Sequence, residues 1–107
     1  MSAARVINRV TLFKIPSKEG QAKLIDMYRD MPTRALKDGK PYIISATVGP
    51  TFDDARNQGY TLAAHSVFAT VEDMKYYDDE CVAHGELKKV ARTLHEGVMM
   101  VYFQNAL

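Results

Sequence analysis

Tyr77 and His84, seven residues apart, are the side chains in this sequence best suited to moving a proton. An imidazole with a reference pKa near ~6.5 serves as general acid or base at neutral pH. A phenol, reference near ~10, can donate a hydrogen bond to a carbonyl and steady developing enolate charge. On one continuous helix a seven-residue step is two turns and a rise of about 10.5 Å. The pair would then converge only on a ligand held between them, or where the helix breaks before Gly85. The competing explanation is structural, with Tyr77 a core aromatic and His84 a helix-end cap.

The neighbours of His84 admit several readings. Glu80, one turn earlier, would orient the imidazole or form a solvated i,i+4 pair with it. Asp78, Asp79 and Glu80 form the one acidic cluster. Adjacent acids on a helix point in different directions, and no second histidine stands at ligand spacing, so no metal is expected. Cys81 is a conceivable nucleophile three residues before His84, but a lone cysteine on an apolar helix face is expected to pack.

These residues need elements to carry them. Val6 to Ile15 alternates as a strand, with Val6, Asn8, Val10 and Leu12 on one face and Ile7, Phe13 and Ile15 on the other. Ser17 is a plausible N-cap for a helix carrying Leu24, Ile25, Tyr28 and Met31, which Met31-Pro32 breaks or kinks. Thr33 to Asp38 adds a short turn, with Gly39 as terminator. Tyr42 to Val48 reads as a second strand, and Gly49 to Gly59 is rich in loop formers. Tyr60 to Ala69 is the third strand. Thr70 with Asp73 forms a variant capping box for a helix running at least to Val82, which Gly85 interrupts. Val98 to Phe103 closes the chain as a fourth strand.

The order is β-α-β-β-α-β, an α+β ferredoxin-like arrangement. Several strands look apolar on both faces, whereas a sheet with one wet face should alternate cleanly. The face away from the helices is therefore expected to pack on a second copy, giving a homodimer. If Leu62, Ala64 and Ser66 face the helices, His65 faces that interface. A ligand pocket between sheet and helices is expected to be lined by Asn8, Val10, Leu12, Tyr28, Met31, Leu62, Ala64 and Ser66, with the Asn8 amide available to a ligand carbonyl.

Composition narrows the classes. With 107 residues the chain has length for one domain, spanning residues 1–107. Its 47% hydrophobic and 25% charged residues are ordinary for a soluble globular protein. A net charge of +1, with Lys and Arg scattered, gives no case for nucleic acid. No apolar run approaches the ~20 residues of a membrane span. Met1 to Arg5 lacks the apolar stretch of a leader, and a single cysteine fits a reducing compartment, so a cytoplasmic location is expected.

Three stretches carry a family resemblance: Asn8-Arg9-Val10-Thr11-Leu12-Phe13, Gly59-Tyr60-Thr61 before a strand ending in Phe68, and Tyr76-Tyr77-Asp78-Asp79-Glu80-Cys81-Val82-Ala83-His84. Over nearly its whole length the chain resembles the stress-responsive dimeric α/β-barrel proteins, and the run ending at His84 is most similar to fungal members. One branch of that family is similar to plant polyketide cyclases, which close a poly-β-ketone by aldol chemistry without metal or cofactor. Their acid/base tyrosine and histidine fall at Tyr77 and His84, with the spacing one residue longer here. A first-strand histidine of those cyclases is Asn8 here, and the one after their Gly-Tyr-Thr is Leu62. The resemblance implies cofactor-independent acid/base chemistry on a carbonyl-bearing, polyketide-like metabolite, with His84 and Tyr77 catalytic. Its rivals are a non-catalytic stress or metabolite-binding protein and, third, a monooxygenase or haem-linked enzyme of the same fold, although no haem motif is present.

Overall fold

Residues 5–107 are described by the computed structural model; the reading of Met1 to Ala4 as lacking a leader lies outside them. The elements are β1 (Ile7–Lys14), α1 (Lys18–Arg29), α2 (Met31–Arg34), β2 (Leu36–Lys37), β3 (Lys40–Pro41), β4 (Ile43–Pro50), a 3-10 turn (Ala55–Asn57), β5 (Leu62–Phe68), α3 (Val71–Asp79), α4 (Val82–Leu94) and β6 (Gly97–Phe103). Four strands form one antiparallel sheet in the order β4-β5-β1-β6. The ferredoxin-like order holds, with β2 and β3 added as a small separate hairpin.

Local chemistry sets most of the boundaries. The Ser17 hydroxyl accepts from the Gly20 amide at 2.8 Å and starts α1. The Thr70 hydroxyl accepts from the Asp73 amide at 3.1 Å and starts α3. Pro32 lies in the first turn of α2, where its missing N–H removes no helical bond. Of the stretch from Thr33 to Gly39 expected to be a short turn and its terminator, Thr33 and Arg34 close α2 and the rest enters the β2–β3 hairpin, whose tight turn places Asp38 and Gly39 at φ 53° and 76°.

Register decides which face each strand gives to the helices. Arg9, Thr11 and Phe13 of β1 stand opposite Ser66, Ala64 and Leu62 of β5. On the other side they face Tyr102, Met100 and Val98 of β6. This is the covered face, and Ile7, Phe13, Leu62, Ala64 and Phe68 are buried on it beneath Leu24, Tyr28, Met74, Tyr77, Leu87 and Ala91. In β4 an irregularity between Ile43 and Ser45 leaves Ile44 as an extra, exposed residue. Ile43 therefore shares its face with Ala46 and Val48, where simple alternation from Ile43 would place Ser45 and Thr47.

The long helix divides earlier than expected. α3 ends at Asp79, Cys81 is extended (φ −68°, ψ 120°), and α4 begins at Val82. Gly85 lies inside α4, and a Cβ there would meet nothing within 4 Å, so no break is needed at that glycine.

Gly20 has a tighter setting. A Cβ there would lie 2.9 Å from Ser17 Oγ, 3.1 Å from Ile15 Cγ2 and 3.3 Å from Leu94 Cδ2. Although alanine is the better helix former, Gly20→Ala is expected to lose roughly 1–3 kcal/mol, since the methyl displaces the cap and overpacks the core. Urea unfolding checks this: the midpoint should fall with the slope unchanged.

Candidate functional site

The division between α3 and α4 leaves the last carbonyls of α3 without helical partners. The Glu80 and Cys81 amides both donate to the Tyr76 carbonyl at 2.9 Å. The His84 Nδ1–H donates to the Tyr77 carbonyl at 2.8 Å. Lys88 donates its ammonium to the Asp78 carbonyl. His84 is thus a helix-end cap, and capping is also what fixes its chemistry. With Nδ1 as the donor, Nε2 is the unprotonated nitrogen of the neutral ring.

The same break brings the expected pair into direct contact. The rings of Tyr77 and His84 lie face to face, 3.6 Å apart and 9° from parallel. Tyr77 has no exposed surface, and its hydroxyl is buried without a hydrogen-bond partner among the described residues. Burial pushes that phenol well above its ordinary pKa. His84 is 2% exposed, and burial, aided by the charges of Arg9 and Lys88, lowers its pKa to about 3 against the smaller opposing effect of its bond to Tyr77.

Arg9 ties this region to the sheet. It lies on the covered face of β1, 7% exposed, and donates from Nη2 to Asp78 Oδ1 at 2.7 Å and from Nη1 to Thr11 Oγ1 at 2.8 Å. Its guanidinium carbon stands 5.2 Å from the Tyr77 ring centroid. Asp78 Oδ1 is also 3.9 Å from His84 Nδ1.

A cavity of about 170 Å³ opens between β1, β6 and α4. Arg9, Thr11, Phe13, Tyr28, His84, Leu87, Lys88, Ala91, Arg92, His95, Val98 and Met100 line it. Its wall is apolar except for a few polar groups, the usual make-up of a small-molecule site. Burial, outweighing the nearby Arg9, pushes the Tyr28 phenol up to about 12, so it remains a hydrogen-bond donor at the wall.

Of the residues expected at a site, Tyr28 and His84 line this cavity, and Tyr77 backs His84 from the core. Met31, Leu62, Ala64 and Ser66 are buried but stand away from its wall. Asn8, Val10 and Leu12 do not belong with them: side chains alternate along a strand, and the odd positions of β1 take the helix face. Those three lie on the opposite, uncovered face, where Asn8 Oδ1 meets His65 Nε2 at 2.9 Å. The shared pocket expected from the sequence is therefore split between two faces. His65 lies on the uncovered face, as the alternation implied. Cys81 is a buried free thiol, while Asp79 and Glu80 are exposed.

Arg9, Thr11, Asp78, Lys88 and His95 were not expected at a site. Arg9 and Thr11 had a readable signal, as polar residues between Ile7 and Phe13 on the buried side of a strand. Lys88 had the i,i+4 step from His84, one turn along the same helix; His95 had none, because its approach depends on how α4 and its end dock on the sheet.

Sheet, helices and cavity define an α+β ferredoxin-like protein with a lined cleft between its layers. The chain belongs to the stress responsive A/B barrel domain family (Dabb), whose model matches residues 7–105. It is 43% identical over 105 residues to a fusaristatin A biosynthesis cluster protein of Gibberella zeae, covering 97% of this chain and 76% of that one. Among solved structures it is similar to the hydroxynitrile lyase of Passiflora edulis, with a TM-score of 0.76 at 16% identity, covering 94% of each chain. It is also similar to a dimeric ferredoxin-like protein of unknown function from Bacteroides fragilis, with a TM-score of 0.71 at 17% identity, covering 92% of this chain and 95% of that one.

The His84 environment has a consequence for acid stability. Between pH 6.5 and about 3 the unfolded chain binds a proton at His84 that the folded chain does not. This contribution is fully present above pH 6.5 and is lost as pH falls toward 3, at up to about 1.4 kcal/mol per pH unit. The charged and titratable groups facing the ring are Arg9 from β1, Asp78 and Tyr77 from α3, and Lys88 from α4. Denaturant titrations at pH 7, 6, 5 and 4 should show His84→Phe with a shallower loss of stability than the parent over this window.

Proposed function

We propose that the chain is a cofactor-independent acid/base enzyme, of cyclase, isomerase or lyase type, acting on a carbonyl-bearing, polyketide-like metabolite. The observation that carries this reading is His84, which caps α3 and so presents a neutral imidazole with an unprotonated Nε2 on the wall of a mostly apolar cavity. In the empty cavity its low pKa makes it a weak base. It gains basicity when negative charge develops beside it, as on an enolate, because the imidazolium then has a partner. Tyr28 and Arg9 stand on the same wall to donate to a carbonyl oxygen. Tyr77 acts through its ring, which holds the imidazole, since its hydroxyl is sealed in the core. A relative named for a biosynthesis cluster supports a metabolite as the substrate.

A second reading, metabolite binding without turnover, is favoured by that same weak basicity. Exchange of protons α to a carbonyl separates the two. With a β-diketone in D2O, the parent should speed deuterium incorporation, followed by NMR. His84→Ala should lose at least about 100-fold of that acceleration, while Tyr77→Phe should keep most of it. Full activity in His84→Ala would remove His84 from the chemistry. Saturable binding with no exchange would favour the binding protein.

We also place the protein as a homodimer in the cytoplasm. Met99, Val101 and Phe103 are each about half exposed on the uncovered face beside Val10 and Leu12, and the similar protein from Bacteroides fragilis is dimeric. The buried lone thiol suits a reducing compartment. Among the described residues, no helix is long and apolar enough to cross a membrane. Sedimentation equilibrium should give a dimer for the parent and a monomer for Val101→Glu.

A further inference from the structure

We propose that the ligand of this cavity is a small anion of about one ring in size, bearing a carboxylate or an acidic enol. This rests on the reading of the cavity as the ligand site and specifies what enters it.

Three residues of its wall are basic, Arg9, Lys88 and Arg92, and no carboxylate lines it. The whole chain is nearly balanced, with 14 basic and 13 acidic residues, so this bias is local. Asp78 neutralises Arg9 from behind the wall. Lys88 spends one donor on a neutral carbonyl, and Arg92 forms no ion pair with the described residues. Lys88 and the solvent-exposed Arg92 therefore stand at the cavity without a carboxylate.

Size sets the second limit. A cavity of about 150 Å³ holds benzene, so 170 Å³ takes a single ring with small substituents. Phe13, Leu87 and Met100 supply its apolar wall.

The test is a matched pair of probes, 2-hydroxybenzoate and 2-hydroxybenzamide, equal in shape and different in charge. Each is titrated into the full chain, with the amide NMR signals of Leu87 and Ala91 reporting on the cavity. The benzoate should bind at least about tenfold more tightly. Its advantage should shrink between 50 and 500 mM NaCl, and Lys88→Met should remove most of it, judged as the ratio of benzoate to benzamide affinity within the same variant. Equal affinity for both probes would overturn the anion assignment and leave the cavity as a ligand site. Shifts from neither probe at Leu87 and Ala91, even at millimolar concentration, would overturn both readings.

Discussion

A guanidinium stands in the middle of the sheet face that the helices cover, and much of the structure is arranged around it. Removing a charge from water is expensive unless opposite charge and hydrogen bonds replace the solvent. Arg9 receives a carboxylate from Asp78, a hydroxyl from Thr11 and the ring face of Tyr77. Two of those partners come from the last turns of α3, so satisfying Arg9 fixes where α3 ends against β1. The ion pair is weak evidence for stability, since desolvation consumes much of the attraction. It does set position, because few placements of α3 satisfy that charge.

The division at Cys81 follows from the same geometry. Were α3 to continue, His84 would lie two turns beyond Tyr77 on a straight rod. The extended residue at Cys81 lets α4 set off in a new direction, with Leu87 and Ala91 buried and His84 folded back over Tyr77. The carbonyls freed at the end of α3 are taken up by the side chains of His84 and Lys88. A structural need, capping a helix, and a chemical one, fixing a tautomer, are met by one hydrogen bond. Core packing and site chemistry are inseparable here, and the structural and functional accounts of His84 are two descriptions of one arrangement.

The two faces of the sheet have different business. The covered face carries the core and the cavity, while the uncovered face carries the Asn8–His65 pair and the half-exposed side chains of β6. Because side chains alternate strictly, a substitution at Val10 bears on the second surface and one at Arg9 or Thr11 on the cavity, although they are neighbours in sequence.

Much of the fold was legible in the sequence because its signals are local. Alternation in β1, β5 and β6, the caps at Ser17 and Thr70, and the break at Met31-Pro32 depend on residues a few positions apart. His84 and Tyr77 were legible as candidates from their chemistry and from the resemblance carried by the run that contains them. Which strand face meets the helices was not, since a strand apolar on both sides fits either way, and Asn8, Val10 and Leu12 were assigned to the wrong one. The extra residue at Ile44 was not legible either, since it shows only against the register of β5. The helix break falls at Cys81, beside the pairing of Asp78 with Arg9 69 residues away in sequence, and not at the glycine that local rules favour. The amino-acid sequence by itself thus determined the elements and the reactive side chains, because propensity, capping and alternation act over short range. Only the tertiary structure decided that His84 would cap α3, stay neutral and stand beside Tyr77 and Arg9, because those partners meet only when strand and helices dock.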